Sequence, residues 1–271
     1  MKQISQLNSI SEEVRLHILR AAQNSGGSSH LGGSLSLVEI LVSLYGKVMN
    51  VNPTSVLDSE RDRMILSKGH GALALFATLF KFGFMNEHDF DTYMKNGSEL
   101  IAHPIMNLNR GIESSNGSLG HGLGMATGIA WALKTIGSKA QVFVVMGDGE
   151  CSEGSIWEAA ATAFNYELNN ITAVVDCNGF QNDGITSKST QFPMLFEKWK
   201  SFGWEAKLVD GHNFDSLISA FKGTYKLPKV ILAKTIKGKG VSFMESNNQW
   251  HHNRLTETKY GEALNSIKNA R

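Results

Sequence analysis

The chain has 271 residues, 42% of them hydrophobic, with 26 basic against 25 acidic side chains and a formal net charge of +1. That length suits one large domain, residues 1–271, with a well-buried core, and the near-zero charge gives no electrostatic footprint for nucleic acid or an anionic membrane. Two cysteines, Cys151 and Cys177, are too few for a disulfide framework and lack zinc-ligand spacing, so reduced thiols in a cytoplasmic protein are expected.

Residues 1–11 are polar and lack the apolar core of a signal peptide. Ser9-x-x-Glu12 reads as a capping box, and Ile10, Val14, Ile18 and Ala21-Ala22 follow with helical spacing until Gly26-Gly27. Ser36-x-x-Glu39 predicts a second helix start, with Leu37, Val38, Ile40, Leu41 and Leu44 leaving little polar face. Further helices are predicted over 70–82 and 122–135. The longest apolar run, 72–80, is too short to span a bilayer.

A different rhythm then begins. Residues 141–146 and 171–176 are short β-branched runs of the buried, parallel-sheet kind, separated by an Ala-rich helical stretch over 156–166. A strand over 205–209, a helix over 214–222 and a strand over 229–235 follow. Alternating strands and helices predict an α/β fold, a parallel sheet with helices on both faces. Lysines gather within 226–239 as isolated charges in an apolar strand and a Gly-rich turn, which predicts a solvated face, with a small anion as the one partner to consider.

In such sheets ligands bind beyond the carboxyl ends of the strands. Gly147-Asp148-Gly149 stands at one end and Asp176-Cys177-Asn178 at the next. A carboxylate and an amide oxygen are hard ligands that suit Mg²⁺ or Ca²⁺ rather than zinc, and magnesium commonly shares its shell with phosphate oxygens. The two glycines allow close approach of a phosphate, and the helix that follows adds a positive dipole end. Gly-Asp-Gly alone marks many ordinary turns; the order strand, G-D-G, helix, strand, D-x-N is far more specific.

With that order the chain resembles the N-terminal, diphosphate-binding domain of transketolase, most closely the kind encoded as two chains. The resemblance is carried by residues 25–35 (S-G-G-S-S-H-L-G-G-S-L), 66–72 (L-S-K-G-H-G-A), 111–125 (G-I-E-S-S-N-G-S-L-G-H-G-L-G-M), 147–183 and 234–251. It implies a thiamine-diphosphate-binding fold, with Asp148, the Asn178 side chain and the Phe180 carbonyl oxygen as ligands of Mg²⁺, for which Ca²⁺ or Mn²⁺ can substitute. Gly149, with Glu150 beside it, is implied to meet the diphosphate, and Gly117, Ser118 and Leu119 to approach the aminopyrimidine. Glu153 matches a glutamate that links two active sites of a dimer; an ordinary first-turn helix acid is the alternative.

The same resemblance places His30, His70, His103 and His251 along a substrate channel, with His70 and His251 also near the cofactor. Imidazoles suit proton movement among sugar hydroxyls and a carbonyl near neutral pH. His17, His88 and His212 are expected to be structural or solvated, and His251 is preferred over its neighbour His252 because it follows Trp250. Two departures bear on the sugar pocket: His121 stands where many members have Gln, and Ser-Ser precedes His30 in place of Ser-Gly.

The implied reaction is transfer of a two-carbon ketol unit from a ketose to an aldose, both commonly phosphates. The activating glutamate of the family lies in a pyrimidine-binding domain absent from this chain, which implies a heterotetramer of two plus two formed with a partner subunit. Other readings are a 1-deoxyxylulose-5-phosphate synthase, whose Ser/Thr-rich loop is replaced here by Gly117-Ser118-Leu119-Gly120, the α chain of a 2-oxo-acid dehydrogenase, and a non-catalytic cofactor-binding protein. A nucleotide-binding Rossmann domain is excluded because the Gly-rich stretch 26–33 follows a helix, not a strand.

Overall fold

Five short strands make one parallel sheet, and its level ends are what position the site. In the computed structural model, which describes residues 2–223 and 226–269, they are β1 (Arg63–Leu66), β2 (Val142–Gly147), β3 (Ile171–Cys177), β4 (Glu205–Asp210) and β5 (Lys229–Lys234). Their spatial order is β1-β2-β3-β5-β4, every neighbouring pair parallel. The helices are α1 (Lys2–Ser25), α2 (Leu31–Leu35), α3 (Val38–Ser43), α4 (Ala72–Lys81), α5 (Glu87–Phe90), α6 (Gly122–Thr135), α7 (Gly154–Asn165), α8 (Phe192–Ser201), α9 (Phe214–Phe221) and α10 (Glu257–Asn269).

Both sheet faces are buried, as the near-continuous apolar strands require. Phe143 and Val145 of β2, Val174 of β3 and Ile231 of β5 pack with α1, α3, α4 and α9 on one face. Val144 and Met146, Ala173 and Val175, and Leu232 pack with α6, α7 and α8 on the other. The two-residue period of a strand sorts these side chains. The apolar segment Leu31–Val48 is 83% buried among the first set of helices.

The helix over 122–135 has the limits its sequence predicts, and the other predicted strands and helices of the second half fall within two residues of theirs. Both predicted capping boxes are corrected. Ser9 and Glu12 lie inside α1, which extends back to Lys2. Its apolar stripe also continues backwards, since Leu7 is buried and Ile4 packs on the core, so tertiary contact outweighs the local capping signal. Ser36 does not cap α3: it is the C-cap residue of α2, its hydroxyl is shared between the Gly33 carbonyl and Asp176, and α3 starts after Leu37 without a side-chain cap.

Glu39 has a different task. It pairs with the Arg15 guanidinium at 2.7 Å and accepts a hydrogen bond from His212 Nδ1 at 2.8 Å. His212 Nε2 accepts from the Ile236 amide at 2.8 Å, which fixes the proton on Nδ1, so His212 is structural as expected. Arg15 also donates to the Lys239 carbonyl at 3.0 Å, so one buried cluster ties α1, α3 and the segment after β5 together.

Burial alone would raise the Glu39 pKa, but Arg15 and His212 hold it at about 2, below its ordinary 4.5. Glu39→Gln strands Arg15 without its counter-charge and is expected to cost about 3 kcal/mol in chemical denaturation at neutral pH. The depressed carboxyl contributes its stability above about pH 4.5 and loses it as pH falls toward about 2, so the two proteins' stabilities should converge over that window.

Candidate active site

Register brings the site together. Gly147 pairs with Asp176, Cys177 with Lys234 and Leu66 with Val145, so β1, β2, β3 and β5 end almost level. The segments that follow them converge on a cleft of about 310 Å³ lined by Lys68, His70, Asp148, Asn178, Phe180 and His251, among others.

At its floor lies Asp176, fully buried and bonded from four sides. Its Oδ2 accepts from Lys68 Nζ at 2.5 Å, Ser36 at 2.6 Å and Asn178 Nδ2 at 3.1 Å, while Oδ1 accepts from the Thr235 hydroxyl. Burial pushes its pKa up, but the Lys68 ammonium and these bonds outweigh that and hold it below the usual value. Because Asn178 spends its amide nitrogen on Asp176, its Oδ1 points the other way, where it accepts from the Phe180 amide at 3.0 Å and keeps a lone pair in reserve.

Asp148 is 3% exposed and sits beside that turn. Its two oxygens accept from the amides of Gly149 at 2.9 Å and Gly179 at 2.8 Å. Gly179 takes φ +79°, a left-handed turn that wraps residues 178–180 around the carboxylate. Burial first, and the nearby Asp176 charge second, raise the Asp148 pKa to about 7. A carboxylate so placed has a strong electrostatic demand for a cation.

The glycine-rich elements differ in what they do. The Gly149 amide is taken by Asp148, and a side chain at 149 would begin 3.0 Å from the Gln181 Cβ, so the position serves close packing in the cleft wall. Glu150 is a strut: its carboxylate accepts from Ser67 at 2.5 Å and from the Gly120 and Gly147 amides at 2.9 and 3.1 Å. It thereby hangs the loop carrying Gly117, Ser118 and Leu119 onto the end of β2. Leu119 reaches the cleft, whereas Gly117 and Ser118 are exposed beside His103 and the loop start. Glu153 is exposed at the cleft edge and precedes α7 without capping it.

The four expected histidines do gather. His30 is the hub, with ring centroids 5.7 Å from His70, 5.8 Å from His103 and 5.7 Å from His251. Burial lowers the pKa of all four: His30 to about 3, helped by His252, and His251 to about 4, helped by Lys237. Neutral imidazoles at neutral pH each offer one donor and one acceptor, the complement of a sugar hydroxyl.

Lys68 lines the cleft and Lys237 packs behind its wall, where Lys237 corrects the expected solvated face. Lys68 and Lys237 are each 1% exposed, and Lys237 donates to Asn248 at 2.6 Å and contacts His251 Nδ1 at 2.9 Å. Lys229 is buried as well, its ammonium donating to the carbonyls of Ala220 and Phe221. Alternation along β5 carries Lys229 inward, and the turn after β5 returns Lys237 over Phe180. Lys68, adjacent to the G-H-G stretch, could have been singled out by that neighbour; nothing local distinguishes Lys237 from Lys234. Cys151 and Cys177 are buried and free.

No group of three or more His, Cys, Asp or Glu suited to hold a metal occurs among the described residues. A donor set of one buried carboxylate, an oriented amide oxygen and a backbone carbonyl fits a hard divalent cation, and the buried ammonium groups fit a diphosphate. Such a site at the strand ends of a parallel α/β sheet defines a cofactor-binding domain of the diphosphate-anchoring kind.

Comparison with known proteins makes the assignment specific. Residues 8–266 match the family described as transketolase, thiamine diphosphate binding domain, and the chain belongs to that family. It is 39% identical to one of the subunits of the apulose-4-phosphate transketolase of Actinobacillus succinogenes, covering 91% of this chain and 90% of that one. Identity is also 39% to the 6-deoxy-6-sulfo-D-fructose transketolase subunit SqwG of Clostridium sp. (89% and 89% covered), and 32% to human transketolase over 98% of this chain and 42% of that protein. Transketolase from Leishmania mexicana shares the fold, with a TM-score of 0.88 at 24% identity, covering 97% of this chain and 41% of that one.

Glu150→Gln turns one accepting oxygen into a donor facing other donors. It should lower stability by about 2 kcal/mol in chemical denaturation and loosen the 117–121 loop, read as faster amide exchange at Gly120.

Proposed function

We propose that this chain is the cofactor-anchoring subunit of a two-chain transketolase, transferring a two-carbon ketol unit from a ketose to an aldose with its partner. The observation that carries this reading is the junction of two chemistries in one place. A hard-metal donor set at Asp148 and Asn178 adjoins a cluster of four histidines, three of them with ring centroids within 5.8 Å of His30.

Asp148, Asn178 Oδ1 and the Phe180 carbonyl would hold Mg²⁺, with Ca²⁺ or Mn²⁺ as substitutes, against the cofactor's diphosphate. Lys237, over the Phe180 ring and against His251, would offset the remaining negative charge, and Leu119 would flank the organic part of the cofactor. When bound, thiamine diphosphate supplies the nucleophile and the electron sink for carbon–carbon cleavage. His30, His70, His103 and His251, all neutral near pH 7, would orient the sugar and exchange protons with its hydroxyl and carbonyl oxygens.

The partner is supported by the relatives' names, since those matched along 90% and 95% of their length are each called a transketolase subunit rather than a transketolase. It would bring the pyrimidine-binding domain and activating glutamate, in an assembly of two plus two in which Glu153 lies near a second site. An assembly also accounts for uncovered apolar surface along α6 and at the ends of α6 and α7, where Met125, Trp131, Ile136 and Tyr166 are exposed. Named substrates of the relatives support a modified ketose or ketose phosphate as donor. The two buried free thiols suit a reducing cytoplasm.

In calorimetry, Asp148→Ala should weaken Mg²⁺-dependent binding of thiamine diphosphate at least tenfold, roughly the loss of one charge-assisted ligand. Equal binding by the variant would remove the metal assignment. Ketol transfer should require the partner chain and should use xylulose 5-phosphate in preference to pyruvate. Full activity of the chain alone, or a preference for pyruvate, would overturn the reading.

A further inference from the structure

The segment after Trp250 carries two consecutive histidines, and the structure gives them separate environments. His251 lines the cofactor cleft and touches Lys237. His252 is exposed and belongs to the outer rim. Its ring centroid lies 4.4 Å from that of His30, at an interplanar angle of 39°, nearer than any other histidine ring to the hub.

That proximity is built into the backbone. Ser28–Ser29 pairs antiparallel with Asn253–Arg254, in the register Ser28 with Arg254 and Ser29 with Asn253. Continuing the register by one residue sets His30 opposite His252. Directly opposed residues of an antiparallel pair project to the same side and lie within contact distance. The ladder therefore holds two imidazoles side by side at the mouth of the site, with His103 5.8 Å from His30 on the same rim.

From this geometry we propose that His252 is a substrate-contacting residue of the transketolase site, hydrogen-bonding a hydroxyl of the sugar beside His30 and so contributing to the choice of ketose. The proposal rests on the transketolase reading above. His252 and His30 would work as a pair of adjacent rings across which two hydroxyls of a polyol can be bridged. Exposure suits that task, because the outer ring must meet the sugar as it enters. A site built to hydrogen-bond a hydroxyl discriminates strongly against a sugar that lacks it, since the ring nitrogen is then left unpaired. His251, one residue earlier, serves the inner cleft, so the adjacent pair spans both tiers of the site.

The test uses the chain with its partner, saturated with thiamine diphosphate and Mg²⁺, and xylulose 5-phosphate as donor. His252→Phe keeps a ring against His30 but removes the hydrogen bond; His252→Gln keeps hydrogen-bonding groups without the ring. The expected result for His252→Phe is a KM about tenfold higher, the worth of one hydrogen bond, with kcat within about threefold and the cofactor Kd unchanged. His252→Gln should recover KM to within about threefold of the wild type. Wild-type KM in the Phe variant overturns the proposal, whether the Gln variant is impaired, as for a packing brace, or normal. Absence of ketol transfer by the wild-type assembly from xylulose 5-phosphate and from the modified ketoses and ketose phosphates alike overturns the transketolase reading and this proposal with it; transfer with KM unaffected overturns this proposal alone.

Discussion

Asp176 accepts hydrogen bonds from Ser36, Lys68, Asn178 and Thr235 while fully shielded from water. Burying a lone carboxylate is prohibitively costly, so this arrangement exists only because Lys68 is buried with it. The pair ties the α2–α3 junction to the segments after β1, β3 and β5. It also decides the aim of Asn178, whose nitrogen is committed to Asp176 and whose oxygen is turned outward. The negative charge of Asp176 is felt in turn by Asp148, which sharpens the demand of the cleft for a cation. A structural ion pair thus orients Asn178 and tunes Asp148.

Above this floor the polar groups change character with depth. Lys68 and Lys237 lie innermost with the acidic residues, where charges can compensate one another away from water. The imidazoles lie further out, and burial with cationic neighbours keeps them uncharged. A charged inner layer suits phosphate and metal; a neutral outer layer suits hydroxyl groups, which are recognised by direction more than by charge. Glu150 and the Arg15–Glu39–His212 cluster act behind both layers, fixing loops that touch the ligand space without reaching far into it.

Much of the fold was legible because its signals are local. Apolar runs such as 171–177 and the Ala-rich stretch around α7 have periods that burial on a parallel sheet preserves. Residues 63–66, with only four positions, gave too short a run to mark β1, and α8 and α10 were equally unmarked. The capping boxes at Ser9 and Ser36 failed for different reasons: α1 runs back past Ser9 because Leu7 and Ile4 extend its buried stripe, whereas the Ser36 hydroxyl has a tertiary partner that competes for it. For Ser36 that partner was Asp176, 140 positions away in sequence.

By itself the sequence determined the strand–turn–helix rhythm, the placing of Asp148 and Asn178 at neighbouring strand ends, and the family to which the chain belongs. These depend on residue type and spacing along a strand, which the chain carries directly. Only the tertiary structure decided that Glu150 braces a loop, that Lys68 and Lys237 face inward, and that His251 and His252 stand in different layers of one site. Those side chains lie on turns beyond the strands, so their placing depends on how segments far apart in the chain meet in space, which residue type and spacing along one strand do not carry.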